Sequence, residues 1–470
     1  MSGYESKCIT INRGRQDPAQ VAAGRRARVT GGGSAVRYCC GRSARTIIAA
    51  VFSYGTWDSA EERGSGEKRR QRAGTGALVQ THGMDGSGGT PSERAGPANI
   101  CRIVCSVSFI GFQKEDILAT TMSSVVKTAK AMILWSAKAT RLSRVVRDSR
   151  WRSRRLLILA YHGISLDDEH EWDSALYMAQ DFFRRRMRSL RDGGYSVLPY
   201  EEAVERLYAG DLPPRAVALT FDDGMRDFRV RACPVLAEFG YPATVYVTTY
   251  FSGQRYPVFN IFFSYLLWKG RGKTVDLSDI VPRLGRHALD AGGRAAVLRL
   301  IRDYRESAKP DNAELAQIAR RLANAVGEDY DRLCDRGILH VMSPQELAEL
   351  PRFGISVQLH THRHRTPAER APFLREIQDN RRHLASAGIS PEHLNHFCYP
   401  SGVHRSELFG WLRSENIRTA TTCIAGLASR RSPSLALPRL IDTCNITPLE
   451  FEGWLTGVNQ FLPRRRHDRF

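Results

Sequence analysis

Two stretches of this sequence end an apolar run in side chains that do chemistry. Ala216-Val217-Ala218-Leu219-Thr220-Phe221 leads into Asp222-Asp223-Gly224, and Val357-Gln358-Leu359 leads into His360-Thr361-His362-Arg363-His364. Each run has the length and bounds of a buried strand, and the glycine permits a sharp exit. Neighbours on a strand point to opposite faces. At a strand end, before a turn, two adjacent carboxylates can instead serve one site in different roles. One carboxylate with two imidazoles makes a three-ligand set that leaves positions open, the catalytic form of a zinc site. The bland alternative for residues 222–224 is an Asp-Asp-Gly turn closing a core strand. A pair of histidines four apart, directly after a second core strand, tips the balance to metal; His362 between them is expected to point elsewhere.

At these residues the chain resembles the polysaccharide deacetylases of the nodulation-protein type, carbohydrate esterase family four. The family's Thr-Phe-Asp-Asp-Gly motif is matched by residues 220–224, and its His-Ser/Thr-x-x-His motif by residues 360–364. The resemblance runs roughly from Leu156 to Leu440. It implies Asp222 as catalytic base, and Asp223, His360 and His364 as ligands of a divalent metal, most simply zinc. Two further motifs depart from the family pattern. Where Arg-x-Pro-Tyr-Gly is expected, the chain reads Cys398-Tyr399-Pro400-Ser401-Gly402, so Cys398 replaces the arginine that orients the base. Backbone amides near Tyr399 are candidates for an oxyanion hole; a buried barrel aromatic is the alternative. Where Leu-x-His supplies a general acid, the chain reads Leu437-Pro438-Arg439. Two residues are candidates to compensate: Arg439 to orient Asp222, and His162, at the end of the first strand, as general acid.

The elements that must position these residues alternate between strand and helix. Leu156–His162 reads as a strand with a polar end, 182–191 as a helix, 195–198 as a short strand and 200–208 as a helix. The 216–224 stretch follows, then a helix over 230–239 and a strand over 241–247. This alternation implies a parallel α/β sheet, and functional residues at successive strand ends imply a barrel. The resemblance narrows that to an irregular (β/α)7 barrel spanning 156–462. Residues 251–340 interrupt the pattern as a mostly helical insertion, with 294–305 and 315–326 the clearest runs. Its aromatics Phe259, Phe262, Phe263, Tyr265 and Trp268 either pack a helix interface or stack on sugar rings. Ser343-Pro344 with Glu346 is a capping-box start. Helices over 373–387, 406–414 and 448–462 and strands near 396–399, 418–423 and 436–440 complete the reading.

Outside the barrel the chain changes character. Residues 1–121 are rich in Gly, Ser, Arg and Ala without sustained periodicity, and read as disordered or as sequence upstream of the true start, for which Met122 is the candidate. Residues 122–155 form a basic amphipathic lead-in, either packed on the domain or touching an anionic membrane. Residues 463–470 are a basic tail. A net charge of +20 demands that anionic partners be considered, but the arginines are spread along the chain and no nucleic-acid module occurs, so no nucleic acid is expected. Ten cysteines scattered without paired zinc spacings fit a reducing compartment. No secretory signal or run of roughly 18 apolar residues is present. These features place the protein in the cytoplasm or on the inner face of the membrane. The expected activity is metal-dependent removal of N-acetyl groups from N-acetylglucosamine-type poly- or oligosaccharides. An amidase on a small non-sugar amide, and a non-catalytic glycan- or membrane-binding barrel, are the alternatives; four intact site residues argue against the last.

Overall fold

The computed structural model describes residues 126–281 and 284–462. The expectations for residues 1–121 and for the 463–470 tail lie outside the described residues. Seven parallel strands make the frame: β1 (Leu157–Tyr161), β2 (Ala216–Phe221), β3 (Ala243–Val247), β4 (Ile355–Leu359), β5 (His396–Cys398), β6 (Thr419–Thr421) and β7 (Leu440–Ile441). Their spatial order is β6-β5-β4-β3-β2-β1-β7. A bridge from Thr421 to Leu437, on the chain entering β7, carries the sheet back to β6. The result is a (β/α)7 barrel, irregular because β5, β6 and β7 are only two or three residues long.

β1, β2 and β3 are buried along their whole length, as expected of parallel strands covered on both faces. β1 pairs β2 from Leu157↔Val217 to Tyr161↔Phe221. The other edge of β2 is shared: strand Ser196–Leu198 pairs residues 216–218, and β3 pairs residues 220 and 221. At the Asp-Asp-Gly end β2 is therefore paired on both edges, by β1 and β3. The outer helices keep the expected order, with Gln180–Asp192, Tyr200–Ala209, Arg370–Ser386 and Ser406–Ser414 close to their sequence-based bounds. The helix expected over 230–239 instead begins with a π-helical turn, Phe228–Ala232. The closing helix stops at Thr456, where Gly457 adopts φ 91°, and a 3₁₀ turn follows.

The insertion has its own apolar core. Helix Phe259–Lys269 buries Phe259, Phe262, Phe263 and Tyr265 against helices Ala291–Ala308 and Asn312–Val326, so these aromatics form a helix interface and are not open to sugar rings. A two-stranded hairpin, Thr274–Asp276 with Arg286–Ala288, was not anticipated. The capping box at Ser343 is present, with the Ser343 hydroxyl accepting from the Glu346 N–H and the Glu346 carboxylate from the Ser343 N–H. Among the described residues no helix is long and apolar enough to cross a membrane.

Candidate active site

The β1–β2 ladder runs one residue past β2: the Asp222 N–H donates to the Tyr161 carbonyl at 2.9 Å. The chain then turns left-handed, with φ 72° at both Asp223 and Gly224. That turn breaks strand alternation and lets two neighbouring carboxylates reach one site. Gly224 is required twice over, by its φ and because a Cβ there would stand 2.8 Å from Val247 Cγ1. At the end of β4 the histidine loop also departs from ordinary geometry, with φ 62° at Thr361 and 52° at His364. Such conformations persist where the surroundings over-determine them.

Helix Arg370–Ser386 supplies that constraint through two buried polar side chains four residues apart. Asn380 Oδ1 accepts from the His360 N–H at 2.9 Å, while its Nδ2 donates to the Val247 carbonyl at 2.9 Å and Thr249 Oγ1 at 3.0 Å. Glu376 Oε2 accepts from the Arg363 N–H at 2.7 Å, and its Oε1 from Arg363 Nη1 and Arg365 Nε. Glu376 and Asn380 thus clamp the loop that carries the histidines. Sequence reasoning missed both; the available signal was a Glu and an Asn at i and i+4 on the same helix face as Phe373 and Ile377.

Asp223, His360 and His364 converge. Asp223 Oδ1 lies 3.3 Å from His360 Nε2 and 3.2 Å from His364 Nε2, and this buried oxygen has no hydrogen-bond partner. The His360 Nδ1 donates to the Cys398 carbonyl at 2.8 Å, which leaves Nε2 of the neutral ring as a lone pair aimed at a carboxylate oxygen. Two electron-rich atoms at that separation need a cation or a proton between them. Metal bonds of about 2.0–2.1 Å at a tetrahedral angle would set such donors about 3.3–3.4 Å apart, so the residues fit a divalent metal. Burial pushes the Asp223 carboxyl up, and where the imidazoles are protonated the charge of His364 and a hydrogen bond from His360 outweigh it and hold the group well below the usual carboxylate range. His362 turns away, with its Nδ1 2.9 Å from Thr249 Oγ1 and its ring stacked on His383.

Asp222 is held differently. It is 3% exposed, and Arg439 forms a fork on it, Nη1 to Oδ1 at 2.8 Å and Nη2 to Oδ2 at 2.7 Å. Arg439 is itself fixed by the Thr422 carbonyl through Nε and by Thr220 Oγ1 through Nη1. Burial pushes the Asp222 carboxyl up, but the guanidinium outweighs it and holds the group down at about 2. Cys398 fills the remaining space: its thiol is 3.5 Å from Asp222 Oδ2 and its sulfur accepts from Arg439 Nη2 at 3.1 Å. Asp222, His360 and Cys398 are also close enough to share an ion, but a cation there would face the Arg439 guanidinium. His162 Nε2 stands 3.9 Å from Asp222 Oδ2, and its side chain is 19% exposed where that of Asp222 is 3%. Of the two readings of Tyr399, its own hydrogen bonds favour the barrel aromatic. Its N–H donates to the Thr421 carbonyl at 3.3 Å, its hydroxyl to the Leu435 carbonyl at 2.9 Å, and its side chain is fully buried. Neither polar group is free for an oxyanion, and Tyr399 is a barrel aromatic.

A family model for polysaccharide deacetylase matches residues 209–292. Over 94 residues the chain is 35% identical to YxkH of Bacillus subtilis, named as a polysaccharide deacetylase; the match covers 20% of this chain and 32% of that protein. Over 94 residues it is 30% identical to the poly-beta-1,6-N-acetyl-D-glucosamine N-deacetylase of Escherichia coli K12, covering 20% of this chain and 14% of that protein. The chain therefore spans a third or less of these relatives. Among solved structures, the deacetylase PplD of Streptococcus pyogenes aligns with 20% identity and a TM-score of 0.42, over 66% of this chain and 99% of its own. IcaB from Ammonifex degensii aligns with 17% identity and a TM-score of 0.41, over 64% and 97%. With its motif-bearing strand ends and its barrel topology, the chain carries a polysaccharide deacetylase domain.

Proposed function

We propose that this protein is a metal-dependent N-deacetylase acting on an N-acetylglucosamine-type poly- or oligosaccharide. The observation that carries the reading is the bare, buried Asp223 Oδ1 facing two imidazole nitrogens beside a second carboxylate that is held by Arg439. Asp223, His360 and His364 would hold the metal. The chemistry that a divalent cation supplies when bound there is Lewis-acid polarisation of the amide carbonyl and acidification of water.

The chain's own residues account for the proton traffic. Asp222 stays ionised at neutral pH because Arg439 holds it so, and its carboxylate takes the proton of the attacking water. A base this weak needs an acidified water, which explains why it adjoins the ligand set. Arg439 also fixes the direction of the carboxylate, the task that the family's motif gives to the arginine replaced here by Cys398. His162 Nε2, 3.9 Å from Asp222 and partly exposed to solvent, delivers a proton to the departing amine. The bond that breaks is the amide C–N; the products are acetate and a free amino sugar. The naming of one relative for a poly-N-acetylglucosamine supports that substrate class. The test is acetate release from chitooligosaccharides and from poly-β-1,6-N-acetylglucosamine, with and without chelator. Release that chelation abolishes and a divalent metal restores is expected. Release from a small non-sugar amide alone, or release indifferent to chelation, would refute the reading.

A further inference from the structure

The lead-in to the barrel carries an apolar face that none of the described residues covers. Residues 126–139 are helical. One side of this helix packs: Leu134 and Ala137 are buried with Val458, against Leu449 and Val146, and Lys130 and Lys138 form ion pairs with Glu450 and Glu452 of the closing helix. An adjacent side does not. Met132 is 60% exposed and Trp135 is 66% exposed, in register with exposed Ala139. After a left-handed residue at Arg141, φ 59°, helix Leu142–Arg147 exposes two more apolar side chains, Leu142 and Val145, 51% and 66% exposed. Trp, Met, Leu and Val exposed within one lead-in are a costly choice for a segment meant only for water.

The charge around this surface is of one sign. Residues 126–155 hold ten basic side chains and one acidic one, Asp148, and Asp148 is already engaged by Arg147 and Arg215. Arg141, Arg144, Arg150 and Arg154 are exposed. A tryptophan-bearing apolar stripe rimmed by unpaired arginines matches the interface of an anionic bilayer, where tryptophan sits at headgroup level and basic groups meet phosphates. A protein partner would call for a mixed rim, and this one has no free acidic group to offer. We propose that the lead-in helices dock this protein on an anionic lipid surface. The lead-in reaches the barrel where its strands begin, since Arg152 Nη2 donates to the Ala216 carbonyl at the first residue of β2. The carboxylates and histidines lie at the other end of the strands, so docking leaves the catalytic rim open.

The test is co-sedimentation of the full chain with vesicles of phosphatidylglycerol and phosphatidylcholine in equal parts, against phosphatidylcholine alone. Binding is expected only to the anionic vesicles and is weakened by salt. Each exposed arginine near an anionic surface is worth roughly a factor of five, so Arg141→Glu with Arg144→Glu should lower partitioning by at least about tenfold. Met132→Ser with Trp135→Ser should do the same through lost apolar insertion. Both variants should keep the wild-type melting temperature and gel-filtration volume, because these side chains touch little in the fold. Equal binding by either variant, equal binding to neutral vesicles, or no binding at all would overturn the proposal. So would a wild-type dimer that Met132→Ser with Trp135→Ser dissociates, which would make this surface an interface between copies.

Discussion

The pocket around Asp222 and the pocket around Asp223 adjoin, yet one is saturated and the other is bare. Asp222 receives two guanidinium hydrogen bonds and a thiol. Asp223 Oδ1 has no hydrogen-bond partner and faces the Nε2 atoms of His360 and His364, so a cation or a proton must lie between them. Type and sequence position cannot separate the two residues; surroundings can. A carboxylate locked in a fork with a buried arginine is poorly placed to bind a cation beside that positive charge, but it keeps a lone pair for a proton. One whose lone pair is aimed at imidazoles is poorly placed without a cation. The comparison assigns proton transfer to the first and ligation to the second.

The largest effect belongs to the bare pocket. His360→Ala and His364→Ala each reduce a three-ligand set to two, so metal content and acetate release should fall together to background. Metal content unchanged in both variants would dissolve the distinction between the pockets. Next is the saturated pocket, where Arg439→Met leaves a buried carboxylate unpaired at a cost of about 3–5 kcal/mol of folding stability. Adding Asp222→Asn in that background should recover part of the loss, since the stranded charge is gone. A double variant less stable than Arg439→Met alone would show that Arg439 does not act through Asp222.

His396 sharpens the comparison, because it too has a bare buried nitrogen but no ligand set around it. Its Nδ1 lies 2.8 Å from Thr419 Oγ1, and burial pushes the ring down to about 3. Between that value and the ordinary 6.5 of an unfolded chain, the unfolded state binds more protons. Stability therefore falls as pH drops below 6.5, by about 2 kcal/mol at pH 5. Denaturant titrations at pH 7 and pH 5 should show that loss in the wild type and its absence in His396→Gln; equal losses in both would assign the acid sensitivity elsewhere. The smallest effect is at Tyr399. Tyr399→Phe removes one hydrogen bond, worth about 1 kcal/mol of stability, and should leave turnover within about threefold. A fall of about 10²-fold or more, the size of a lost oxyanion donor, would return Tyr399 to the catalytic machinery.

Much of this was legible in the sequence because the frame is local. Apolar runs that end in Asp-Asp-Gly and His-x-x-x-His announce buried strands with chemistry at their ends, and Ser343 with Glu346 announces a helix start. What escaped is what depends on closure. β7 is two residues long, and the chain entering it meets β6 at Leu437, a contact no periodicity encodes. The fork from Arg439 to Asp222 also spans the barrel seam, but it was legible, because Cys398 stands where the orienting arginine is expected and Arg439 is the cation offered in its place. Glu376 and Asn380 were hidden because a polar residue on an apolar helix face has meaning only once the loop it grips is known. The hairpin in the insertion is three residues a side, too short for an alternation pattern.

Replacing each aspartate by asparagine and measuring metal content beside turnover tests the central claim most directly. Asp223→Asn should lose the metal, because a neutral amide replaces an anionic ligand. Asp222→Asn should keep the metal at the wild-type ratio and lose about 10²–10⁴-fold in turnover, the cost of removing a general base. An Asp222→Asn protein without metal beside an Asp223→Asn protein that retains it would reverse the assignment of the two pockets. Wild-type turnover in both variants would contradict the account of this site altogether.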